Sequence, residues 1–524
     1  MRRISHGSTT PPSAKTNEQV LEELGDVANQ YFFPEAEQPA ANQPFYRMFD
    51  DLAHDKNCLI PETDQTLQHL SALGEAMRDK EFLSDGNSTT IRSAYTYFAQ
   101  FVNHDINFTD VKKRHKETDF EFLADDCLAP WTDQMIADRV RNKRGGLLEL
   151  DCLYGVMQGT LLPPRPLDNH DKMALGKVVS TQTGLPKGKD ADNDLVRGPR
   201  SQNLKTDRTA LIGDRRNDSN IILSQLHVAF LRAHNEIIDR MKCSYVEAKQ
   251  ILQKYYHWLI LHDFLPAIVT EDTIKAVLAA PQYHAKQGLP FEFSVGAFRF
   301  GHSMVRQTYY YNESIGNESL GRLFTSVILG EGFLPTPGKG SPNIRDNQII
   351  RWRDFVTGTE IEANKARKFR TLMVEPLHEL LDEMNPEYVP GERSLAVQDL
   401  KRSYIMRIPT GQAIAHRLKV KHPLTPADFE AVTTAGQYKV LKDGGMLERT
   451  PLSFYVLAEA ARAGNGKLGE VGGRLVAEVL IGLLRDRADS IVDSNWTPDE
   501  DLSFTPGTFC LPDLLRLAKV WEES

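Results

Sequence analysis

Residues 220–241, NIILSQLHVAFLRAHNEIIDRM, set the strongest limit on what this chain can fold into. Leu223, Leu226, Phe230 and Ile237 return at helical spacing and form one stripe, while Arg232, Glu236 and Asp239 fall elsewhere. Such a segment reads as a core helix. The pattern recurs in AKQILQKYYHWLILHDFLPAIV and SFYVLAEAARA, and the alternating runs of half-buried strands are scarce. The predicted fold is therefore mainly α: a single large helical domain with long loops and little β. Breaker-rich stretches at 155–206 and 331–345 predict long surface loops. Residues 1–43, whose first ~40 positions are rich in Pro, Ser, Thr and Glu, predict a partly flexible arm before the single large domain, which spans 44–524.

Composition excludes several classes. A chain of 524 residues that is 41% hydrophobic can bury a large core. A net charge of −9 and a pI near 6.0 give no basic stripe, so nucleic acid is not expected as a partner. Cys58, Cys127, Cys152, Cys243 and Cys510 are scattered with no CxxC, which fits a reducing compartment rather than a disulfide framework or a cysteine zinc site. The polar start lacks the apolar core of a secretory signal, and no window reaches the ~18 apolar residues of a membrane span. The richest, VGGRLVAEVLIGLL (471–484), is broken by Arg474 and Glu478. The expectation is a cytoplasmic protein without an integral membrane segment.

Three familiar motifs fail. GNGKLG (464–469) satisfies GxGxxG but follows a helical pattern instead of a strand. GFLPTPGKG has one residue too many for a phosphate loop, and Gly340 stands where Ser or Thr should bind magnesium. There is no HExxH, and His227 and His234, seven apart on one helix face, read as core histidines.

Three polar islands stand out instead. In YFAQFVNHDINF (97–108), a helix puts Gln100 and His104 on one face and turns Asp105 about 100° away. GDRRNDSN (213–220) crowds Asp214, Arg215, Arg216 and Asp218 before the core helix; taken alone, it reads as a cap supplied by Asp218 or Ser219. In GAFRFGHSMVRQ (296–307), Arg299 and His302 share a face three residues apart. Taken alone, a histidine after glycine reads as structural.

Together and in this order, the islands resemble the animal-type haem peroxidase superfamily, and more closely its bacterial branch. The resemblance runs over roughly 44–518 and includes FYRMF, LDCLYG and LGEVGGRLVAEVLIGLL. It implies haem b as cofactor and hydrogen peroxide as a substrate, reduced through a ferryl intermediate, with an unidentified organic or halide donor oxidised. His104 is then the distal base, since neutral imidazole moves protons near neutral pH. Arg216 is the fixed cation that stabilises the departing oxygen, and Gln100 orders water or small anions above the iron. His302 is the axial ligand. Asp399, in QDLKRSYIMRIP, stands where the family usually has an Asn that accepts from that ligand; an aspartate pulls harder on the proton.

Departures from the family pattern add expectations. Asn103 and Ser219 occupy the two positions where mammalian members esterify haem, so attachment is expected to be non-covalent, with Arg299 available to a propionate. Calcium is a further implication, through Asp105, the Leu147 carbonyl, Glu149 and Asp151, although Gly145 replaces a Thr ligand. Cyclooxygenase-like fatty-acid oxygenases carry a radical Tyr three residues before the axial His, where this chain has Arg299. Peroxidase chemistry is preferred on that ground. The alternatives are a haem-dependent oxygenase or natural-product tailoring enzyme on the same scaffold, with Tyr95, Tyr97 and the TYYYNES run as radical hosts, or a non-enzymatic haem-binding protein.

Overall fold

The structure is a computed structural model and describes residues 17–34, 44–80, 87–111, 129–155, 162–179, 192–199, 208–324, 343–357, 364–380 and 394–521. Seven helices frame the core: α1 (Thr66–Ala76), α2 (Ser93–Ile106), α3 (Ile221–Met241), α4 (Tyr245–Trp258), α5 (Leu395–Ile405), α6 (Leu452–Ala463) and α7 (Glu470–Arg485). The mainly α expectation holds. Strands among the described residues form only two-stranded pairs, such as Phe45–Tyr46 running parallel to Leu289–Pro290.

The core helix forms as its apolar period predicts, and its stripe residues Leu223, Leu226, Phe230 and Ile237 are all sealed from solvent. Burying each such side chain contributes about 1.5–3 kcal/mol. Its cap is Asn220, whose side chain accepts from Leu223 N at 2.8 Å, and not Asp218 or Ser219. α2 lies against it through Phe101 and Phe230, stacked with centroids 4.5 Å apart, and meets α4 through Phe98 edge-on to Tyr256. α4 starts with a Ser244/Glu247 capping box and runs on into a π turn, Leu259–Phe264. That turn presents Asp263, which takes Tyr95 Oη at 2.6 Å and Leu511 N at 2.8 Å. α1 and α5 pack where Gly74 meets Val397, and a Cβ there would lie 2.5 Å from Val397 Cγ2.

The expectation of simple surface loops needs revising. Residues 162–179 and 192–199 are not simple surface loop: Met173, Leu195, Val196 and Asp194 are buried. Isolated backbone bridges such as Gly176 with Asp194 hold them, and side chains add to these, as Asn235 both donates to Met173 O and accepts from Met173 N. The N-terminal arm contains a helix, Asn17–Leu24, and a strand, Tyr31–Phe32, paired antiparallel with Arg165–Pro166; residues 1–16 and 35–43 lie outside the described residues. GFLPTPGKG also lies outside them. GNGKLG is a helix junction, as its context predicts: Gly464 caps α6 at φ 65°, and α7 begins at Glu470. Among the described residues no helix is long and apolar enough to cross a membrane.

Candidate active site

α2 carries the first island, and its two faces separate as the helical reading requires. Asp105 turns back to accept from Leu150 N at 3.1 Å and Cys152 N at 3.3 Å. His104, buried on the other side, places Nδ1 2.7 Å from Asn217 Oδ1. A carbonyl oxygen only accepts, so His104 Nδ1 carries the proton and Nε2 keeps its lone pair. Burial first, and the nearby Arg216 next, lower the His104 pKa to about 3, so the ring is neutral at ordinary pH. Gln100 is half-buried on the same face and accepts weakly from Asn220 Nδ2 at 3.4 Å.

The second island is a 3-10 turn, Arg215–Asp218, capped by Asp214. Arg216 is clamped: Nε and Nη2 bind the Asp214 carboxylate, and Nη2 also donates to His104 O (3.2 Å) and Asn107 O (2.8 Å). Its guanidinium carbon lies 4.3 Å from the Phe108 ring centroid. Arg144 binds Asp214 from the other side. The cation is thus fixed at the C-terminal end of α2, and Nη1 has no hydrogen bond among the described residues. Although burial opposes it, the two arginines hold the Asp214 carboxyl well below the usual range. Neighbouring Arg215 is exposed and has no hydrogen bond or ion pair among the described residues.

The third island lies beside α2, which packs directly against the helical turn Gly301–Met304. His302 Nδ1 donates to Asp399 Oδ2 at 2.9 Å, as expected, and Nε2 has no hydrogen bond among the described residues, on a ring that is 24% exposed. Arg299 Nε lies 3.8 Å from Asp399 Oδ1, sealed and without a hydrogen bond among the described residues. Arg402 closes the cluster at 3.7 Å. Burial pushes the Asp399 carboxyl up, but His302, Arg299 and Arg402 bring it below its ordinary value.

The calcium set does not close. Asp105 and Asp151 are near neighbours whose carboxyls burial pushes up, but Asp105 is spent on backbone N–H groups and Asp151 accepts from Gly145 N at 3.3 Å. Glu149 turns away to Arg487 at 3.3 Å. Among the described residues no three His, Cys, Asp or Glu side chains converge to hold a metal ion. The ester positions are polar and uncharged, with Asn103 Oδ1 accepting from Asn107 and Ser219 Oγ from Asn220. Asp218, the nearest carboxylate in sequence to Ser219, is bound by both Arg197 terminal nitrogens at 2.7 and 3.1 Å.

Residues 131–328 match the model of the animal haem peroxidase family. That segment carries the likeness to animal haem peroxidases. The match includes Arg216, Asn217, His227, Arg299 and His302 and stops short of His104 and Asp399. The haem peroxidase fold extends further: peroxidase A of Dictyostelium discoideum superimposes with a TM-score of 0.57 at 14% identity, over 93% of this chain and 95% of that one. A fatty acid alpha-dioxygenase of Oryza sativa aligns at TM-score 0.48 and 12% identity, over 89% of this chain and 82% of that one. A peroxidase-like protein of Margaritifera margaritifera is 29% identical over 114 residues, which is 18% of this chain and 14% of that protein's length.

Sequence reasoning assigned no role to Asn217, although it lies inside the second island. His234 is a core histidine as expected, held by Tyr154 Oη at 2.9 Å and Asp171 O at 3.0 Å. His227 is buried too, but it touches Asn217 and so connects to the site. Tyr95, Tyr97, Tyr309 and Tyr311 are packing residues: Tyr97 meets Tyr309 edge-on, and Tyr311 donates to Gln348 O.

Proposed function

We propose that this protein is a haem-dependent peroxidase that reduces hydrogen peroxide and oxidises a small-molecule donor. The observation that carries the reading is the pairing of two histidines, each with Nδ1 committed and Nε2 open: His104 on Asn217 and His302 on Asp399. That donor set fits haem, which when bound supplies the redox chemistry. His302 Nε2 is the nitrogen suited to hold its iron, and Asp399 fixes the tautomer that exposes it. His104 Nε2 takes a proton from one oxygen of hydrogen peroxide and delivers it to the other, a transfer that needs a neutral ring with a free lone pair. Arg216 stands beside it as a charge that cannot be lost, and Nη1 is its unspent donor. Gln100, on the same face as His104, orders water there.

The haem is non-covalent in this reading, since neither ester position holds a carboxylate and Asp218 is engaged by Arg197. The donor is a phenol, a halide or a dedicated metabolite, and no residue of the site selects among them. The test is the absorption spectrum of the purified protein, peroxide addition, and a screen of candidate donors. A Soret band that changes with peroxide and returns with a donor is expected. A protein that takes up no haem, or haem that ignores peroxide, would end the proposal.

A further inference from the structure

His104, Asn217 and His227 form a line of three buried polar side chains on three different elements. Asn217 Oδ1 lies 2.7 Å from His104 Nδ1, and Asn217 Nδ2 lies 3.0 Å from His227 Nδ1. An amide is asymmetric, since its oxygen accepts and its nitrogen donates. With Nδ2 donating, His227 Nδ1 must present a lone pair, so the His227 proton sits on Nε2. With Oδ1 accepting, His104 must carry its proton on Nδ1. Turning the Asn217 amide by half a turn would reverse every role, and His104 Nε2 would then hold a proton and could accept none.

We infer that His227 is a positioning residue for the base: through Asn217 it keeps the proton on His104 Nδ1 and the lone pair on Nε2. The inference rests on the peroxidase reading of the site. Asn217 and His227 are sealed from solvent, so no water can bridge a mismatched pairing, and the amide can turn only if both histidines change tautomer with it. His227 Nε2 itself has no hydrogen-bond partner among the described residues, an unfavourable arrangement at a place on α3 where an apolar side chain would pack. A function for Nδ1 accounts for that histidine. The ring is held edge-on by Phe101, with centroids 6.0 Å apart. The charged groups around His104 are Arg216, Asp214 and Arg144, and the charge acting on His227 is Asp214; burial keeps both rings neutral among them.

The test uses ferric, haem-loaded protein and cyanide, which binds as the neutral acid and must give its proton to the distal base. Stopped-flow association rates are measured beside haem content and thermal midpoint. His227→Phe fills the ring's volume without an acceptor, whereas His227→Gln offers Oε1 to Asn217 Nδ2. The Phe variant should bind cyanide roughly 10-fold more slowly or worse, short of the ~10⁴ lost when a catalytic histidine is held in the wrong tautomer. The Gln variant should recover to within about threefold of wild type, a residual well under the tenfold that 1.4 kcal/mol represents. Asn217→Leu breaks the same link without touching His227 and should be as slow as the Phe variant, which keeps the test decisive if His227→Phe does not fold. Wild-type rates in His227→Phe or Asn217→Leu, or equal losses in the Phe and Gln variants, would overturn the inference and leave the peroxidase reading standing. A wild-type chain that takes up no haem would sink both.

Discussion

Asp399 Oδ2 accepts from His302 Nδ1 at 2.9 Å, and both Arg299 and Arg402 lean on the same carboxylate within 4 Å. The carboxylate is therefore kept ionised while it holds the histidine's proton. Asp399→Asn should keep the hydrogen bond and weaken the donor strength of Nε2. The reduction potential of the loaded protein should rise by on the order of tens of millivolts, a small part of the ~0.8 V that axial ligation commands. Spectroelectrochemistry reads the shift, and an unchanged potential counts against His302 as the ligand. His302→Ala should lose most of its haem.

His104→Ala should slow the reaction with peroxide by ~10²–10⁴, the range for losing a general base, with haem content near wild type. Stopped-flow at fixed peroxide measures this. Wild-type rates would exclude His104 from the chemistry.

Arg216→Ala should show two separable losses. The peroxide reaction should slow by ~10²–10³ through loss of the fixed charge. Stability should also fall by about 1–3 kcal/mol, because buried Asp214 loses one of its two cations and the carbonyls at the end of α2 lose their donor. Arg215→Ala, which removes no such contact, should leave the denaturant midpoint within about 0.5 kcal/mol of wild type.

Glu459 provides a pH test remote from the histidines. It is buried, accepts from Val471 N and Gly472 N at the start of α7, and burial pushes its pKa up to about 7. A carboxyl whose pKa is raised on folding contributes stability that is complete below its unfolded pKa and lost as pH rises through its folded value. The thermal midpoint should therefore decline from about pH 5 to 8 by an amount worth on the order of 1–3 kcal/mol. Glu459→Gln should flatten that limb, and an identical slope in the variant would show that another group titrates there.

Haem should leave the wild-type chain in acidified organic solvent at the mass of unmodified haem b, before and after peroxide. Asn103→Asp combined with Ser219→Glu, then peroxide, should make part of it non-extractable. Haem that stays on the wild-type chain in denaturing mass spectrometry would require a carboxylate other than the two that are missing; Asp218 is a poor candidate because Arg197 holds both its oxygens.

What the sequence determined is what depends on local period and residue type. Apolar spacing was enough for α3, because a stripe of Leu223, Leu226, Phe230 and Ile237 has one stable arrangement against a core. The opposite faces of His104 and Asp105 followed from 100° per residue, and the Asp399 pairing with His302 from family order. Tertiary structure decided what depends on which elements meet. Glu149 could be a calcium ligand until its partner proved to be Arg487, 338 positions away. Arg299 went to Asp399, and Asp218 to Arg197, because a buried carboxylate takes whichever cation the packing brings within reach. Asn217 and His227 carry no sequence signal as a pair: ten residues apart, on a 3-10 turn and a helix, they become a link to His104 only when α2 packs against α3.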